Sequence, residues 1–166
     1  MEEFRLGSHL ENSMSMLKTL NMSHAVGALD SIIESSIEDS YSRERFLEEI
    51  LKEEIKGREK KKFERMLKLA CFPEYKTLDE FNLEEQITLS KKQFNQLKEL
   101  SWLEKGFNLI FLGAPGVGKS HISVGIGIEA LNNGYKVRFI TMADLIHLLK
   151  TQEISSRSKN HIKRII

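Results

Sequence analysis

Gly113, Ala114, Pro115, Gly116, Val117, Gly118, Lys119 and Ser120 read GAPGVGKS, a full match to the pattern GxxxxGK[ST]. That pattern binds phosphate. Glycines at 113, 116 and 118 let backbone N–H groups turn inward around an oxyanion, where a Cβ would obstruct the turn or the ligand. Lys119 brings a charged donor to β- and γ-phosphates, and the Ser120 hydroxyl suits a bound magnesium ion. A glycine-rich turn that holds no ligand is the plainer reading, and the flanking sequence argues against it.

Such a loop works only between a strand and the start of a helix. Asn108 to Leu112 is a short apolar run next to Gly113, as expected of a buried parallel strand. A helical pattern runs from Lys119 to Asn133 and stops at Gly134, so its positive end adds to the anion site. Tyr135 to Thr141 reads as a second strand, and Thr141 with Asp144 as the cap of a helix through Lys150. Upstream, residues 14–38 predict two short helices, with Asn21 or Ser23 capping the second. A longer amphipathic helix begins at Ser42 and ends before Pro73. Residues 74–106 start irregularly and contain a helix around Lys91 to Leu103. The expected class is α/β: a helical N-terminal region (1–73), a connector (74–106) and an incomplete P-loop domain (107–166).

The balance of 25 Lys+Arg against 24 Asp+Glu in 166 residues, with 40% hydrophobic residues, excludes a disordered polyelectrolyte. Charge is unevenly spread. Residues 107–166 carry eight Lys/Arg and three Asp/Glu, which favours polyanionic partners. The single Cys71 excludes an intramolecular disulfide framework and reads as a small core residue among Leu67, Leu69, Ala70 and Phe72. No apolar run reaches the 18 residues of a membrane span, and the acidic start is unlike a signal peptide, so cytoplasm is expected. The five histidines show no metal-ligand spacing, and Trp102 and Phe107 read as core aromatics.

Arg58, Lys61, Lys62, Arg65 and Lys68 fall on one helical face, opposite Phe63, Met66, Leu67 and Ala70. Five cations there suit salt-dependent, sequence-independent contact with DNA phosphates. An ordinary solvated face, partly neutralised by Glu59 and Glu64, is the plainer reading. Hydrolysis of a nucleotide would need a carboxylate at the end of another strand to hold magnesium. After the loop only Glu129, Asp144 and Glu153 are acidic, and none ends an apolar run. No catalytic residue is therefore assigned, and no ATP turnover is expected of the chain.

The sequence resembles the IstB-like transposition helper ATPases, relatives of the DnaC-like helicase loaders within the AAA+ group. The resemblance rests on LKTLNMSHAVGALDSIIE, on FERMLKLACFPEYKTLDEF, and on WLEKGFNLIFLGAPGVGKSHISVGIGIEALNNGYKVRFITMADLIHLL, in that order. It implies an accessory protein that binds ATP and magnesium at Gly113 to Ser120, forms a homo-oligomer on duplex DNA and assists a partner transposase. A helicase loader, or a non-catalytic DNA- or partner-binding remnant, are the alternatives. The family's next strand and all beyond it are absent, and Ile165-Ile166 sits where that strand could start. The chain thus reads as a truncated copy, whose two strands would lack ladder partners and leave apolar side chains uncovered.

Overall fold

The computed structural model describes residues 2–83, 89–151 and 153–163. Its helices are α1 (Glu2–Thr19), α2 (Ser23–Glu38), α3 (Arg43–Ala70), α4 (Lys91–Lys98), α5 (Ser101–Glu104), α6 (Lys119–Asn132), α7 (Met142–Thr151) and α8 (Ser156–Ile162). The chain divides into two compact units, 1–62 and 63–166, with the boundary inside α3. None of the helices among the described residues is long and apolar enough to cross a membrane.

In the first unit α1 and α2 form a hairpin. Asn21 takes the left-handed conformation (φ 56°), and the N–H groups of Asn21 and Met22 donate to the carbonyls of Lys18 and Leu17, closing α1 in a Schellman turn. Ala25, Leu29 and Ile32 of α2 pack with Ile50 of α3, and Leu10, Met14 and Leu17 of α1 cover them. Neither Asn21 nor Ser23 caps α2: its N-cap is Met22, which makes no side-chain cap bond. The cap comes instead from a distant residue, Glu54, whose Oε2 accepts from the N–H groups of His24 (2.9 Å) and Ala25 (3.0 Å). Glu54 is buried, and its Oε1 accepts from Arg58 Nε at 2.6 Å. Burial alone would raise the Glu54 pKa, but the hydrogen bonds from Arg58, Ala25 and His24 and the Arg58 charge outweigh it, holding the carboxyl below its ordinary value. The His24 ring lies against Gly57, where any Cβ would collide with it. Gly57 is thus needed for packing, and α3 runs through it unbroken.

In the second unit α6 is the centre. Every residue from Val124 to Ile128 is buried, as are Ile122, Ala130 and Leu131, so this helix must be covered on several sides. Leu78 packs over Gly125 and Phe72 over Gly127, each so near that a Cβ would come within 2.7 Å. Phe94 and Leu100 complete a core with Leu78, Ile122, Ile126 and Ala130. Gly134 (φ 83°) ends α6 with a second Schellman turn, Tyr135 N–H to the Ala130 carbonyl and Gly134 N–H to that of Leu131. The helix expected over Lys91 to Leu103 is instead divided into α4 and α5 by Leu100 in the left-handed region (φ 56°), a conformation retained with its side chain buried in the core. The cap of α7 is as expected, Asp144 N–H donating to Thr141 Oγ1 at 3.1 Å.

Residues 108–112 and 135–141, expected as strands around the loop, lie outside helices and form no ladder among the described residues. Phe111 packs on the core, whereas Ile110 and Leu112 are 81% and 89% exposed. Phe139 N–H donates to the Ala70 carbonyl at 2.7 Å, which ties the second segment to the end of α3. An apolar run specifies a place in a sheet, but a strand forms only by pairing. Two smaller expectations also change. Cys71 is exposed and closes α3 with a left-handed backbone (φ 57°), and Phe107 is exposed. In α8, Ser158 is buried and its hydroxyl meets Thr151 Oγ1 at 2.9 Å. Ile165-Ile166 lies outside the described residues.

Candidate phosphate-binding site

Gly113 to Ser120 arches directly onto the first turn of α6. Gly116 (φ 84°) and Gly118 (φ 82°) both take left-handed conformations that strain any residue with a Cβ. Gly118 is the N-cap of α6, with no side-chain cap bond, and a Cβ there would lie 2.6 Å from the Phe81 ring. The α6 N-terminus, positive by its aligned peptide dipoles, therefore faces the loop, and among the described residues no carboxylate caps it.

Lys119 bends back over its own loop, Nζ donating to the carbonyls of Gly113 (2.9 Å) and Ala114 (2.7 Å). These are neutral acceptors, and an entering phosphate offers the ammonium a stronger, charge-assisted bond. Ser120 is exposed, and its hydroxyl has no protein partner among the described residues. Pro115 and Val117 are exposed at the outside of the turn. Gly116, Gly118, Lys119, Ser120 and His121 line an open cleft of about 320 Å³, within the range of small-molecule sites. The positive-φ turn, the helix end, the parked ammonium and the unpartnered hydroxyl are a donor set that fits a polyphosphate with its magnesium ion.

Sequence reasoning missed one wall of this cleft. Glu74 and Lys76 line it too, and they form an ion pair of 2.8 Å. The segment that follows is clasped to α6: His121 Nε2 lies 2.8 Å from the Thr77 carbonyl, and the His121 ring meets Phe81 edge-on at 5.2 Å. No charge pattern in residues 74–81 flags this role. Two of the three acids after the loop are engaged elsewhere, Glu129 with the Asn133 side chain and Asp144 in the α7 cap. Among the described residues no group of three or more His, Cys, Asp or Glu could hold a metal ion.

Arg58, Lys61 and Lys62 in the first unit, and Arg65 and Lys68 in the second, are all exposed along α3. Arg58 is partly committed to Glu54 and, at 3.0 Å, to the Asn21 carbonyl. The other four form no ion pair among the described residues.

Comparison with known proteins places a match to the family described as IstB-like ATP binding protein over residues 15–166. The chain is 32% identical over 150 residues to an ATP-binding protein of an IS21-like insertion sequence from Bacteroides fragilis, covering 90% of this chain and 56% of the relative. It is 33% identical over 124 residues to the IS5376 ATP-binding protein of Geobacillus stearothermophilus, covering 75% and 49%. Against the IS232 ATP-binding protein of Bacillus thuringiensis it is 32% identical over 158 residues, covering 93% and 63%. The chain thus spans about half to two-thirds of the length of these curated relatives.

Proposed function

The chain belongs to the IstB-like ATP binding protein family, and on that premise we propose that it binds ATP with magnesium at Gly113 to Ser120 and serves DNA transposition as an accessory protein. The carrying observation is the loop itself, arched onto a helix N-terminus whose N-cap is Gly118, with Lys119 Nζ donating to two neutral carbonyls. Lys119 would hold the β- and γ-phosphates, Ser120 the magnesium ion, and the backbone of the glycine turn the remaining oxygens. Magnesium supplies charge neutralisation to the bound triphosphate.

In this reading the cations of α3 hold duplex DNA through its phosphates, the protein assembles as a homo-oligomer there in the cytoplasm, and a transposase is its partner. The relatives' insertion-sequence origin favours transposition over helicase loading. The engagement of Glu129 and Asp144 away from the loop supports binding of ATP without turnover. Titration with a fluorescent ATP analogue and magnesium tests the site. Saturable binding is expected, weakened about thirtyfold or more in Lys119→Ala, the loss of one strong charge-assisted contact. Equal binding by both proteins would refute the assignment.

A further inference from the structure

Lys119 is not the only cation in the cleft. Lys76 lines the same space as Gly116, Gly118, Lys119 and Ser120, although it lies forty or more residues before them in the chain. Its neighbours toward the C-terminus are firmly placed. The Thr77 carbonyl is held by His121, the Thr77 N–H donates to Glu80 Oε2 at 2.8 Å, Leu78 is buried against Gly125, and Phe81 stacks on Phe94 at 5.7 Å. The backbone at Lys76 is thus carried to the mouth of the loop by a fixed segment. Its ammonium is paired with Glu74, and both side chains are nearly half exposed, at 41% and 47%. An ion pair so exposed is weak and readily exchanged.

We infer that Lys76 is a second phosphate-binding cation of this site, and that Glu74 is its counter-ion while no nucleotide is bound. The inference rests on the ATP reading above. A magnesium-bound triphosphate still carries excess negative charge, and an ammonium lining the same cleft as the glycine turn meets it as a point charge. A phosphate oxygen then replaces the Glu74 carboxylate on Lys76. Glu74, left beside an anion, turns to solvent, so it opposes nucleotide entry while Lys76 assists it.

The test uses the full chain, a fluorescent ATP analogue with magnesium, and displacement by inorganic tripolyphosphate. Lys76→Ala is expected to weaken both ligands about tenfold, with unchanged circular dichroism, and Glu74→Gln to tighten both about two- to threefold. Wild-type affinity in Lys76→Ala, beside loss in Lys119→Ala, would overturn the inference and leave the ATP reading standing. Weakening for the nucleotide but not for tripolyphosphate would also overturn it, moving Lys76 to the base or ribose. Weaker binding in Glu74→Gln would overturn the counter-ion role. Failure of the folded wild-type chain to bind either ligand would remove the ATP reading itself, and the inference with it.

Discussion

Two helix N-termini in this chain are finished in opposite ways. At α2 the N–H groups of His24 and Ala25 are taken by the buried Glu54 carboxylate, so the positive helix end is closed by the protein's own anion. At α6 the N-cap is Gly118, no side chain among the described residues caps the end, and the loop in front of it presents Lys119 and Ser120. The same backbone electrostatics makes a joint in the first case and, in the proposed function, a receptor in the second. What separates them is the source of the anion: a carboxylate 30 residues along the chain, or a ligand from outside.

Closing the receptor tests the contrast most directly. Gly118→Ala would force a Cβ into a left-handed backbone and against Phe81, so ATP-analogue affinity should fall more than about tenfold. Wild-type affinity in that variant would show that the turn tolerates a side chain and would erase the contrast. Opening the joint is the converse change. Glu54→Ala should destabilise the first unit by about 2 kcal/mol, read by urea melts and by faster amide exchange at His24 and Ala25, with nucleotide affinity unchanged.

The joint also has a pH signature. Because the folded state holds the Glu54 carboxyl below its ordinary value of about 4.3, its contribution is complete above that value and is lost as pH falls through the lower folded one. Acid titration of the first unit should therefore show a loss of stability below about pH 4 that Glu54→Gln removes. The smallest effect sharpens the comparison with an ordinary cap. Thr141→Ala, which removes the hydroxyl on Asp144 N–H, should cost about 1 kcal/mol and leave both the receptor and the joint intact. A cost as large as that of Glu54→Ala, in the same melts, would mean that a distant carboxylate adds nothing over a local hydroxyl.

The sequence made the receptor legible and the joint invisible for one reason. Gly116, Gly118 and Lys119 act on groups within a few residues of themselves, so their spacing carries their geometry. Glu54 acts across a tertiary contact, and in sequence it is one acid among several on a charged helix. Lys76 was missed on the same grounds. Helix ends were legible where Gly134 or Thr141 set the local backbone, and illegible at Leu100, whose left-handed turn runs against leucine's preference. The apolar runs around the loop show the converse limit: a pattern at Ile110 and Leu112 records a sheet environment that the described chain does not provide.

The protein's single tryptophan falls in a useful place. Trp102 donates from Nε1 to the Leu97 carbonyl at 3.2 Å and packs on the core that surrounds α6, and residues 1–62 contain no tryptophan. Its fluorescence is therefore an intrinsic optical label for one half of the molecule. Emission recorded beside far-ultraviolet dichroism would separate melting of the loop-bearing unit from melting of the helical one, with no dye attached and no residue changed.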